Sequence, residues 1–167
     1  MQTSKENQVD QLLETHRLNI DELELPDLSF VWDHWNQVRG SGFAPTLRNF
    51  RLESLPVHII PRMVIVDFLG PPLDYFYRFF GSEMVRQSGL ELTGKRYFAD
   101  GVKGFGFVNA EWFPVMIKQR YPLLTETHWR TIHGVGRVTT TLRLPISNDG
   151  ESIDHGVTVN HFQNIDG

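Results

Sequence analysis

The chain has 167 residues, a formal net charge of −4, 40% hydrophobic and 12% aromatic residues, and no cysteine. This length suffices for one domain with an adequate core plus an extension. The missing cysteines exclude disulfides, Fe–S clusters, cysteine-based zinc sites, thiolate nucleophiles and cysteinyl-flavin photochemistry, and the absence of a basic face denies nucleic acid its main electrostatic attraction.

Residues 1–27 are polar and acidic, with Glu6, Asp10, Glu14, Asp21, Glu22, Glu24 and Asp27 set against Lys5 and Arg17. A weak apolar pattern at Val9, Leu12, Leu13 and Ile20 predicts a partly helical extension that breaks at Pro26. Residues 28–167 are then the domain proper, with its own N-terminal helix. No apolar run approaches membrane-spanning length and no signal-peptide start is present, so a cytoplasmic protein with no membrane partner is expected.

Leu28, Val31, Trp32, Trp35 and Val38 recur at helical spacing, which puts both tryptophans on one face of a helix over 28–39. Gly40-Ser41-Gly42 ends it. That face either packs in the core or forms a homodimer seam. Pro45 to Ser54 reads as a second short helix or irregular segment. Arg62 to Phe68 is a mostly buried strand, turned at Gly70-Pro71-Pro72, and Leu73 to Phe80 returns as an aromatic strand with Arg78 embedded in it. Arg78 is a candidate polar anchor; its structural alternative is an ion pair to Asp67 or Glu83.

Ser82 to Gly89 predicts a short helix and Leu90 to Asp100 a loop. Gly101, Gly104 and Gly106 follow no strand and lack the phosphate-loop pattern, so they read as a flexible loop before a helix over Val108–Tyr121, with Pro114 forcing a late start or a kink. Three strands follow: Leu123–His133, Arg137–Ile146 and Ile153–Phe162, with a hairpin turn at Asn148-Asp149-Gly150. In the middle strand Val138, Thr140, Leu142, Leu144 and Ile146 face one way, and Arg137, Thr139, Thr141 and Arg143 the other. The apolar row is expected to face the main helix.

Seven histidines raise a metal or haem hypothesis. His155 and His161 share a strand face but stand about 20 Å apart at roughly 3.3 Å per residue, and His128 and His133 are an odd number apart. The main helix carries no histidine. Haem and metal are therefore not expected, and any other cofactor is left unknown.

Two strands, short helices, a longer helix and a three-stranded meander, with Glu91-Leu92-Thr93-Gly94-Lys95 after the short helix, resemble a PAS domain over residues 55–162. Trp32, Trp35, Arg39-Gly40, Pro45, Leu55-Pro56, Asp67, Tyr77-Arg78, Gly81, Leu144-Pro145 and Asp149-Gly150 further resemble a family of small stand-alone PAS-like proteins common in alphaproteobacteria. The resemblance implies an α+β PAS fold, with a five-stranded antiparallel sheet and helices on one face, and a sensory or regulatory role whose output passes through an unidentified protein partner or a homodimer through 28–39. The ligand pocket is expected between the main helix and the sheet, lined by Phe105, Phe107, Trp112, Met116, Val138, Thr140, Leu142, Val157 and Val159, and suited to a small, largely apolar or aromatic molecule. Two other readings stay open: a cone-shaped α+β enzyme, marked by a pocket carboxylate of raised pKa facing a histidine, and a ligand-free interaction module.

Overall fold

The computed structural model describes residues 9–96, 105–131 and 133–164; for 9–13 and 105–107 it describes the backbone. In chain order these form β1 (Val9–Leu18), α1 (Pro26–Arg39), α2 (Leu47–Phe50), β2 (Met63–Leu69), β3 (Asp74–Phe80), α3 (Ser82–Ser88), β4 (Lys95–Arg96), α4 (Phe105–Gln119), β5 (Leu123–Thr131), β6 (Gly136–Ile146) and β7 (His155–Asn164). The fold is α+β. The described strands make one antiparallel sheet of seven, in the order β1-β5-β6-β7-β2-β3-β4.

Five of those strands are the expected ones, and the two additions sit at the edges. β1 occupies part of the acidic extension, where a partly helical segment was expected. Its pattern hides a strand because two register shifts, at Val9/Gln11 and Leu12/Glu14, break the period-two alternation. What decides its conformation is the free edge of β5, whose backbone groups it pairs from Thr131 to Leu124. The second addition, β4, begins at Lys95, the last residue of the Glu91–Lys95 signature. Leu92 is buried, Gly94 turns the chain at φ +77°, and its N–H donates to Tyr77 O at 2.7 Å, which lays Lys95 and Arg96 against β3.

Both faces of the sheet are covered, whereas helices on a single face were expected. α1 starts at Pro26, whose fixed φ suits a first helical turn, and lays Leu28, Val31 and Trp35 over Met63, Ile65, Leu124, Leu142, Leu144, Ile146, Val157 and Val159. Trp32 packs against the same cluster and stacks on Trp35 at 5.8 Å. The other face carries Val64, Val66, Tyr75, Tyr77 and Leu123, covered by Met84 of α3 and by Phe113 and Met116 of α4. Gly156 permits that close approach: a Cβ there would lie 2.7 Å from Phe113 and 2.8 Å from Phe68.

The main helix begins at Phe105, earlier than the expected Val108, and runs through Pro114. Gly106 is therefore helical; Gly101 and Gly104 lie outside the described residues. β5 stops at Thr131, so His133 belongs to the following turn and not to the strand.

Candidate functional site

The alternation read for β6 holds, but it is the polar row, not the apolar one, that faces α4. Thr139, Thr141 and Arg143 of β6 stand beside Thr125 and Thr127 of β5 and Thr158 and Asn160 of β7, all of them buried. Together they give the sheet a hydroxyl-and-amide surface under the main helix. Arg143 is its centre. Only 2% of the residue is exposed, and among the described residues no carboxylate lies within ion-pair distance of it.

A buried guanidinium survives where its N–H groups are satisfied. Asn109 of α4 does most of this: its Oδ1 accepts from Arg143 Nε at 3.2 Å and from Nη2 at 2.9 Å. Thr125 Oγ1 accepts from Nη1 at 2.7 Å, and the Phe113 ring lies 5.7 Å from the guanidinium carbon. Asn109 Nδ2 in turn donates to Tyr77 Oη at 3.3 Å. Burial pulls the Arg143 pKa down to about 9, against smaller upward influences from Tyr77 and the exposed Glu111. At neutral pH the interior therefore holds a full positive charge.

Beside it lies a small, partly open void of about 10 Å³, lined by Met84, Val108, Asn109, Thr127, Thr139, Thr141, Arg143, Thr158 and Asn160. That is the space one water-sized particle needs. The hydrogen bonds leave donors facing it. Thr139 Oγ1 accepts from Trp129 Nε1 at 2.9 Å and Thr158 Oγ1 accepts from Asn160 Nδ2 at 3.1 Å, so each hydroxyl keeps its proton to give. Thr141 by contrast donates to Asn160 Oδ1 at 2.7 Å.

The same sheet face continues outward to a second, open basin of about 390 Å³, walled by Arg62, Glu83, Arg86, Gln87, Arg137, His161, Phe162 and Asn164. Its cations are largely committed. Arg86 makes two bonds to Glu83, Arg62 pairs with Asp27, and Arg137 donates to Gln87 and lies 5.8 Å from the Trp129 ring. Hydrogen bonds from Arg86 hold the Glu83 carboxyl below its usual range. At Asp27 burial works upward, but the bonds from Arg62 and His58 outweigh it and lower the pKa.

The residues expected to line one pocket are divided between the two faces. Trp112 and Met116 lie on the α4 side, Trp112 donating through Nε1 to Thr15 of β1 at 2.8 Å. Leu142, Val157 and Val159 pack under α1, and Val138 and Thr140 share that face by alternation. A sheet separates the groups, so they do not meet in one cavity. Phe105 and Phe107 belong to the backbone of α4, and their side chains lie outside the described residues.

Arg78 takes its structural alternative. It grips Asp67 with two bonds of 2.9 Å, and that hydrogen bonding raises its pKa, while its side chain stays 51% exposed. Asp67 also meets His155 Nδ1 at 2.7 Å, and His155 Nε2 meets Asn148 Nδ2 at 2.9 Å, so both ring nitrogens are occupied. Replacing Arg78 with alanine is expected to cost under about 1 kcal/mol in urea unfolding, because an exposed pair contributes little. A loss above about 2 kcal/mol would show that Arg78 carries structural weight beyond the pair.

Among the described residues no group of three or more His, Asp or Glu side chains is placed to hold a metal ion, and no helix is long and apolar enough to cross a membrane. Comparison with protein-family models and with curated proteins finds no match.

Proposed function

We propose that the chain is a sensory or regulatory domain of the PAS type, which binds a small molecule between α4 and the sheet and passes its occupancy to a protein partner or a second copy. The observation that carries this reading is a charged side chain, Arg143, kept in the interior next to a void between the longest helix and the sheet. Stability alone does not call for it, since apolar residues of similar volume commonly serve a core as well or better. The order of elements supports the same reading: a hairpin, a short helix, the Leu92–Lys95 signature, a long helix and a meander whose last strand pairs with the first of the hairpin. α4 links ligand to surface. Its Asn109 touches Arg143, and its Trp112 and the β1 edge strand meet through Thr15.

The lining changes the class of ligand expected. Threonine, asparagine and arginine side chains favour a polar occupant over the apolar or aromatic one anticipated from the strand patterns. A thermal-shift screen of the full chain against small anions, neutral polar metabolites and flat apolar compounds tests the reading, with native mass spectrometry to detect retained ligand. The expected result is stabilisation by a compound whose effect disappears in Arg143→Met. Stabilisation by nothing in the panel, in a chain that carries no ligand through purification, would leave the interaction-module alternative.

A further inference from the structure

Arg143 carries a fully buried charge that no carboxylate among the described residues neutralises. Asn109 and Thr125 take three of its five N–H donors and supply no negative charge. One proton on Nη1 and one on Nη2 remain. The adjoining void is polar and also faces the donating hydroxyls of Thr139 and Thr158. A neutral water would satisfy donors there but leave the charge standing in a low-dielectric surrounding, where an isolated ion is costly.

We propose that this void is a binding site for a small inorganic anion of halide size, held by the guanidinium of Arg143 and the hydroxyls of Thr139 and Thr158. The proposal rests on the sensory reading above and narrows its ligand. Size selects within the anions: about 10 Å³ admits a particle near the dimensions of water, whereas a phosphate or a dicarboxylate would need the helix to move off the sheet. Donor geometry selects the sign, because the lining holds no carboxylate among the described residues. Asn109 orients Arg143 from the opposite side and is a positioning residue, touching the guanidinium and not the ion.

The test uses the full chain in sodium gluconate, whose anion is too large for the void, with chloride or bromide titrated in at constant ionic strength. A saturable rise in melting temperature is expected, of about 5–10 °C at a hundredfold excess over Kd. It should vanish in Arg143→Met, and also in Asn109→Asp, which supplies a built-in carboxylate and keeps the fold testable if the methionine variant does not fold. A crystal grown in bromide should show an anomalous peak beside Arg143. No peak there, with the same salt response in wild type and Asn109→Asp, would mean water only and overturn the proposal. If halides are silent while another small molecule stabilises in an Arg143-dependent manner, the anion assignment fails and the sensory reading stands. Silence from every compound and anion sinks both.

Discussion

Alanine in place of Asn109 is expected to remove about 3–5 kcal/mol of unfolding free energy at neutral pH, because it strips a buried cation of its principal acceptor. The loss is not a packing effect of two or three atoms. It leaves Arg143 Nε and one Nη2 proton without a partner, and the Tyr77 hydroxyl without the amide that donates to it. Asparagine to aspartate is the informative contrast. Its carboxylate accepts the same two guanidinium bonds and adds the missing negative charge, so a cost well below that of alanine is expected. Urea unfolding of the three proteins checks the order, and an Asn109→Ala loss under about 1 kcal/mol would mean that water replaces the amide without penalty.

A pH profile separates charge from shape at the same site. The folded pKa of Arg143, about 9, lies well below the ordinary arginine value. Between those values the unfolded chain holds a proton that the folded chain releases, so the Arg143 contribution to stability rises with pH across that window, by at most about 1.4 kcal/mol per unit. Below pH 9 the folded state carries the full burial cost of the charge. The stability difference between wild type and Arg143→Met should therefore move in the wild type's favour from pH 8 to about 10.5. A difference that stays flat would place the folded pKa near its ordinary value.

How far these residues could be read from the chain depends on what each one's conformation answers to. β2, β3, β6 and β7 were legible because the β-branched and aromatic runs end at punctuating turns, such as Gly70-Pro71-Pro72 and Asn148-Asp149-Gly150. Helices were legible at 28–39, where the apolar residues recur at helical spacing, at 82–89 and at 108–121, although α4 starts three residues earlier than expected, at Phe105. β1 was not, since two bulges erase its alternation and its conformation is set by β5, more than a hundred residues away. The site failed for a different reason. Alternation in β6 placed Arg143 on one face of its strand, but a single strand does not tell which face a helix will cover, and α1 and α4 cover both. The usable signal lay across strands: Thr125 and Thr127, Thr139 and Thr141, Thr158 and Asn160 form one polar row on three neighbouring strands, which surface exposure alone would not require.

Removing the indole of Trp35 is the second change with a large expected effect, about 3–5 kcal/mol for Trp35→Ala. The residue is 1% exposed and its Nε1 donates to Pro145 O at 2.9 Å, so it joins α1 to the sheet by packing and by a directed bond. β5 pairs with β6 no further than Arg143, and past that point one side of β6 is open. Proline can occupy that stretch without losing a ladder bond to β5, and the tryptophan takes up its carbonyl. Trp35→Phe keeps most of the packing in the core cluster under α1 but leaves that carbonyl unpaired, for an expected cost of about 1–3 kcal/mol. Urea unfolding at several protein concentrations distinguishes the two places the tryptophan face could act. A midpoint independent of concentration in wild type, and a large drop in Trp35→Ala, is what packing on its own sheet predicts. A wild-type midpoint that climbs with concentration, and loses that dependence in Trp35→Ala, would instead make 28–39 a seam between two copies, and the free energy assigned here to the core would belong to association.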